Sequence, residues 1–201
     1  MTDDESSQPR LASLRGIDGA VYEPAEDSAL LAHAVVEEIE PGAVVLDVGT
    51  GSGYVGYKIQ EKADAAVVGI DINPYACKRA TEAGLTVIRG DLTSGIQTHG
   101  ADVIVCNPPY LPTEDDPFDD DWLERAIAGG PQGRDIVNRL LADAGRVLTP
   151  EGELFLLVSS LQDIETVRDR AATEGFRGTE IARDDSFPFE VLAVYRFSRC
   201  R

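Results

Sequence analysis

A nearly unbroken apolar run over residues 43–48 passes directly into Asp47-Val48-Gly49-Thr50-Gly51-Ser52-Gly53. A run of this kind, without strict alternation, predicts a strand buried on both faces, as in the middle of a parallel sheet. Three glycines at alternate positions then let the backbone turn tightly and approach a ligand closely. The helix expected next would point the positive end of its dipole at that ligand. The stretch therefore predicts an α/β fold with a bound cofactor. The loop alone leaves the cofactor open, because Gly51, Gly53 and Gly56 also satisfy the dinucleotide fingerprint, with Asp71 about 20 residues further on.

The rest of the chain repeats the strand and helix alternation. Periodicity predicts helices over 25–38, 54–61, 74–83, 136–148 and 161–173, and strands over 65–70, 86–89, 102–106 and 154–158. The last strand, over 191–197, reads as alternating. Residues 1–20 read as a loose arm and 21–201 as a single domain, in line with a length of 201 residues. Such an alternation implies a mainly parallel sheet with helices on both faces, and ligands bind such sheets at the carboxyl ends of the central strands.

Composition narrows the function. There are 36 acidic residues against 18 basic, a formal net charge of −18, and only Lys58, Lys62 and Lys78 among the lysines. No basic stripe is available for phosphates, which argues against nucleic acid as a direct partner. The acidity and scarcity of lysine point instead to a halophilic, archaeal source. No apolar run approaches the roughly 18 residues that cross a bilayer, and the acidic N-terminus is unlike a secretory signal, so a cytoplasmic location and no membrane partner are expected. Cys77, Cys106 and Cys200 are scattered, and His33 and His99 have no nearby ligand partners. No disulfide framework and no metal site are expected.

Two features favour a cofactor other than a dinucleotide. Asp47 precedes the first glycine, where its carboxylate is placed to meet an ammonium group. A pyrophosphate would gain nothing from that charge. Asp71 ends the second strand, placed to accept ribose hydroxyls, which suits either cofactor, and Asp91-Leu92 follows the third, placed for an adenine amine and ring. The fourth strand leads into Asn107-Pro108-Pro109-Tyr110. The Asn107 side-chain oxygen and the Pro108 carbonyl can accept both hydrogens of a planar NH2 group. The prolines fix φ and hold those acceptors in place, and Tyr110 offers a flat face.

The tetrapeptide and the glycine loop resemble those of the HemK-like glutamine methyltransferases. Val21-Tyr22-Glu23-Pro24-Ala25-Glu26-Asp27-Ser28, Asp71-Ile72-Asn73-Pro74, and Ala128-Gly129-Gly130 through Gly133-Arg134 are similar to the eukaryotic and archaeal branch. The resemblance spans about residues 20–197. It implies a Rossmann-like class I methyltransferase with a seven-stranded sheet and S-adenosyl-L-methionine as cofactor. The substrate it implies is the glutamine in the GGQ motif of a peptide chain release factor, methylated at N5. By the same resemblance Ser28, Asp47, Gly49, Gly51, Gly53, Asp71, Ile72, Asp91, Leu92 and Asn107 surround the cofactor, and Asn107, Pro108, Pro109 and Tyr110 form the catalytic segment. It also implies a small zinc-binding activator protein as heterodimer partner, expected at the Thr86–Arg89 edge strand. Pro131-Gln132 departs from the branch pattern, and the N-terminal helical domain of the bacterial branch is not expected.

Residues 111–131 are polar and acidic, with Pro112, Pro117, Gly129 and Gly130 and with Phe118 and Trp122 interspersed. A long loop after the tetrapeptide predicts a substrate-facing lid. Asp115, Asp116, Asp119, Asp120 and Asp121 read first as a solvated run. An N6-adenine methyltransferase uses the same tetrapeptide and stays open as an alternative, as does a cofactor-binding scaffold without catalysis. A nicotinamide dehydrogenase is more distant, lacking an evident proton donor.

Overall fold

The computed structural model describes residues 20–113 and 121–200. Its elements run α1 (Glu26–Val36), β1 (Val44–Val48), α2 (Tyr54–Lys62), β2 (Ala66–Asp71), α3 (Pro74–Glu82), β3 (Thr86–Arg89) and β4 (Ala101–Cys106). They continue with α4 (Trp122–Ile127), α5 (Asp135–Val147), β5 (Leu148–Ser159), a 3-10 turn (Ser160–Gln162), α6 (Ile164–Thr173), β6 (Phe176–Asp184) and β7 (Leu192–Arg199). The seven strands form one sheet in the order β3-β2-β1-β4-β5-β7-β6. The β1–β2, β1–β4, β2–β3 and β4–β5 pairs are parallel, and β7 runs antiparallel to both β5 and β6. The strand order reverses between β1 and β4, which opens a crevice beyond their carboxyl ends.

Period-two alternation sends each central strand into two cores. Val103 and Val105 of β4 and Phe155 and Leu157 of β5 join Leu31, Val35 and Ile59 from α1 and α2 on one face. Ile104, Cys106, Leu154 and Leu156 join Leu140, Leu141 and Ala144 of α5 on the other. Burial on both faces is why these strands read as apolar runs. Each such leucine or isoleucine contributes roughly 1.5–3 kcal/mol by leaving water.

Several expectations need correction. Strand β6 has no counterpart in the sequence reading, because its edge position leaves most of Phe176–Asp184 partly or fully exposed. Strand β7 buries Leu192, Ala193, Val194 and Tyr195 in succession, since it lies between β5 and β6. Residues 161–173 are not one helix, because Asp163, with φ +59°, separates the 3-10 turn from α6. Within 111–131, α4 forms and Leu111 makes a parallel bridge with Ala128, so this segment is not one open loop. Asp115, Asp116, Pro117, Phe118, Asp119 and Asp120 lie outside the described residues, as does the arm up to residue 19. No helix among the described residues is long and apolar enough to cross a membrane.

Candidate active site

The carboxyl ends of β1, β2, β3 and β4 meet on one cleft. It is lined by Ser28, Asp47, Gly49, Gly51, Asp71, Ile72, Asp91, Leu92, Asn107, Pro108 and Pro109. The strand order draws these residues together from positions as far apart as 28 and 109. Gly53 and Tyr110 stand outside that wall. A Cβ on Gly53 would meet Ala80 at 3.0 Å, so its want of a side chain serves the packing of α2 on α3. The Tyr110 ring packs beside Leu111, Leu123 and Ile127.

The glycine loop is tied to the end of β2. Gly49 and Thr50 donate backbone hydrogen bonds to the Ile70 carbonyl at 2.8 and 3.0 Å, and Gly51 donates to Asp71 Oδ2 at 2.9 Å. Gly49 and Gly51 have φ of +72° and +54°, where other residues are strained. A Cβ on Gly49 would meet nothing within 4 Å, so the loop presents bare backbone to open space.

Asp47 is 3% exposed. Its Oδ2 accepts from the Thr50 hydroxyl at 2.6 Å and from the Gly56 amide at 3.0 Å. A Cβ on Gly56 would lie 2.8 Å from that oxygen, so glycine there makes room for the carboxylate. Burial pushes Asp47 up to about 6, and the two hydrogen bonds only partly oppose it. Asp71 is also raised by burial, against the Asn73 and Gly51 amides that bond its two oxygens.

The sequence reading named the segment over residues 21–28 but not the ties that strap it over this wall. Asn73 caps α3 by accepting from the Tyr75 amide at 2.9 Å, and its Nδ2 donates to the Ala20 carbonyl at 2.7 Å. Arg79 grips Glu23 through two bonds of 2.5 and 2.6 Å. These ties hold Val21, Tyr22 and Pro24 along the cleft. Asp91, about half exposed, pairs with Arg139 of α5 at 2.5 Å. Leu92 has φ +49°, an uncommon conformation for leucine of the kind that gathers at ligand sites. Trp122 and Arg125 of α4 stack 5.2 Å apart and also line the cleft. Asn73 lies in the Asp71–Pro74 motif, but none of Arg79, Arg125 and Arg139 belongs to a local sequence pattern that marks a ligand. Only their distant partners reveal them.

Asn107 Nδ2 donates to Ser28 Oγ at 3.3 Å, while Asn107 Oδ1 is buried with no hydrogen-bond partner among the described residues. An unsatisfied buried acceptor costs roughly 1–3 kcal/mol, which an incoming N–H donor would recover. The backbone that follows is braced. Leu111 donates to the Ile127 carbonyl at 3.0 Å, Gly129 to the Leu111 carbonyl at 2.8 Å, and Thr113 to the Gly130 carbonyl at 3.0 Å. Gly133, with φ +69°, lies against the Tyr110 carbonyl, and its carbonyl accepts from Gln162 Nε2 at 2.7 Å. The glycines at 129, 130 and 133 thus seat the tetrapeptide.

A seven-stranded sheet with its last strand reversed, a bare glycine loop after β1 and Asn-Pro-Pro-Tyr after β4 define a Rossmann-like methyltransferase, a class that in general uses S-adenosylmethionine. The chain belongs to the methyltransferase small domain family, whose model matches residues 23–189. A Methanocaldococcus jannaschii protein described as a candidate protein N5-glutamine methyltransferase is 37% identical over 180 residues, covering 87% of this chain and 89% of that one. The human methyltransferase HEMK2 is 30% identical over 199 residues, covering 92% of each chain. Among solved structures, the E. cuniculi Mtq2–Trm112 complex, responsible for methylating the eRF1 translation termination factor, matches with a TM-score of 0.76. Its identity is 29%, and the match covers 90% of this chain and all of that one.

Proposed function

We propose that this chain is a cytoplasmic protein-glutamine methyltransferase that modifies N5 of the glutamine in the GGQ motif of a peptide chain release factor. The observation that carries the reading is the buried, unpartnered Asn107 Oδ1 at the cleft, with its Nδ2 held by Ser28. An oxygen so placed accepts one hydrogen of a side-chain amide, and the Pro108 carbonyl accepts the other. The amide nitrogen is a poor nucleophile, so orientation in a site of fixed acceptors is what these residues contribute. Pro108 and Pro109 fix φ and keep the acceptors from reorganising. No strong base is needed, because the methylated nitrogen sheds its extra proton readily.

The cleft fits S-adenosyl-L-methionine. The bare backbone at Gly49 and Gly51 leaves room for a ligand, and the buried Asp47 carboxylate suits an ammonium group. Asp71 keeps free lone pairs on both oxygens for ribose hydroxyls. Ile72 and Leu92 offer apolar contact to an adenine, and Asp91 has an oxygen beyond the one that Arg139 holds. When bound, the cofactor supplies an electrophilic methyl group.

A zinc-binding activator chain is proposed at the β3 edge. Ile88 is 43% exposed there. An open edge of this kind accepts another strand, and Mtq2 is in complex with Trm112. A purified chain that is soluble, monomeric and fully active alone would overturn this part. A salt-rich archaeal cytoplasm accounts for the charge of −18.

The test is methyl transfer in high salt with labelled S-adenosylmethionine, a Trm112-type activator and a release factor. Label is expected on the GGQ glutamine, and Asn107→Ala should lower it at least about a hundredfold. Label on adenine in nucleic acid, or none on that glutamine, would overturn the assignment.

A further inference from the structure

We propose that the β6–β7 hairpin turn is a second anchoring point for the methyl acceptor, which would present there an apolar recess rimmed by lysine and arginine. This rests on the reading of the acceptor as a protein. Residues 184–191 read Asp-Asp-Ser-Phe-Pro-Phe-Glu-Val, with two aromatic side chains, three carboxylates and no basic residue. The register places this turn on the catalytic side of the sheet. Ser159 pairs with Leu192, Asp184 also pairs with Leu192, and Cys106 pairs with Leu156. The turn therefore extends past the carboxyl end of β5, on the side where β4 delivers Asn107. At ordinary strand spacing β7 lies about 10 Å from β4.

The turn is held in a fixed pose. Ser159 Oγ donates to Glu190 Oε1 at 2.7 Å, the Val191 amide to Ser160 Oγ at 2.9 Å, and the Ser160 amide to the Val191 carbonyl at 2.8 Å. The adjoining Gln162 holds Gly133, which lies against the Tyr110 carbonyl. One short segment thus supports both the catalytic backbone and the hairpin. Phe187 packs down on the same apolar core as Tyr110, whereas Phe189 is 92% exposed. The other exposed large apolar side chains among the described residues reach at most 55%. Pro188 fixes its own φ and restricts Phe187 before it, so the backbone leading into Phe189 has little freedom left to lose on binding. Aromatic side chains are the commonest strong anchors of protein interfaces. Asp184, Asp185 and Glu190 would repel a phosphate backbone, and a second copy of a chain carrying −18 would be repelled as well. A basic protein surface is what remains complementary.

The test uses this chain with a Trm112-type activator, in wild type, Phe189→Ala and Phe189→Trp forms. KM and kcat are measured for an intact release factor and for a short synthetic peptide spanning the GGQ glutamine, with cofactor affinity by calorimetry. Phe189→Ala is expected to raise KM for the intact factor about tenfold. Its kcat, the peptide KM and cofactor affinity should stay at wild-type values, and Phe189→Trp should keep the low KM. An unchanged KM for the intact factor, or an equal rise for the peptide, would overturn the proposal. Loss of the activator from Phe189→Ala would overturn it too, by assigning the hairpin to that chain. Failure of the wild type to methylate the factor would instead sink the functional reading, and this proposal with it.

Discussion

Asp47 shows how one side chain couples the cofactor cleft to stability. In the unfolded chain it titrates near 3.8, whereas burial raises it to about 6 in the folded protein. Between those values the folded state holds a proton that the unfolded state has released. Its contribution therefore stabilises at low pH and is lost as pH rises from about 4 to about 6. At roughly 1.4 kcal/mol per pH unit the loss is at most about 3 kcal/mol. Asp47→Asn keeps the shape without the titration, so its denaturation free energy should fall less than the wild type's across that window. Parallel wild-type and Asp47→Asn curves would sink this account. A cofactor ammonium opposite Asp47 would favour the charged form, so bound cofactor should flatten the wild-type slope. Trp122, the single tryptophan, lines the cleft and gives a fluorescence signal for saturation.

At the scale of elements, the sheet edges carry different instructions. Strand β6 ends one side with alternating charge and little burial, whereas β3 ends the other with Val87 half-buried and Ile88 exposed. Charged side chains, lysine above all, are how lone proteins protect an edge. Ile88→Lys should therefore leave the fold and cofactor binding intact and weaken capture of a Trm112-type activator at least about tenfold. Size-exclusion chromatography with light scattering measures this, and an undiminished heterodimer would exclude the β3 edge as its seat. The periodicity that made β1, β2 and β4 legible also explains the elements that were missed. A strand shows in a sequence when a face is buried, and β6 buries little. Helix α4 buries only Leu123 and Ile127, too short a pattern to separate from a loop.

The molecule as a whole carries twice as many acidic as basic residues, so at least half of its carboxylates cannot find a partner one to one. Surface pairs such as Lys58–Glu61 and Arg168–Glu165 are each worth less than about 1 kcal/mol and weaken with salt. The residual repulsion is larger, and salt screens it too, since the Debye length falls from about 10 Å at 0.1 M to about 3 Å at 1 M. The melting temperature should thus rise by about 5 °C or more between 0.1 and 2 M potassium chloride. A calorimetric scan that falls with salt would refute a fold limited by its own charge.

What the sequence determined by itself is what short stretches can encode. The strand and glycine loop at 43–53, Asn-Pro-Pro-Tyr at 107–110 and the alternation of elements each depend on neighbours in the chain, where periodicity and φ preference act. They sufficed for the parallel strands β1 to β5 and for the family, but not for β6 or for the burial of β7. Tertiary structure alone decided which distant groups meet. It paired Asp91 with Arg139, tied Ala20 to Asn73 and Glu23 to Arg79, and set Gly133 under the Tyr110 carbonyl. It also turned Tyr110 toward Leu111 and Ile127 and left Asn107 Oδ1 buried without a donor. These contacts join residues that share no periodic pattern, and only the closing of the sheet brings them within the few ångströms over which hydrogen bonds and packing act.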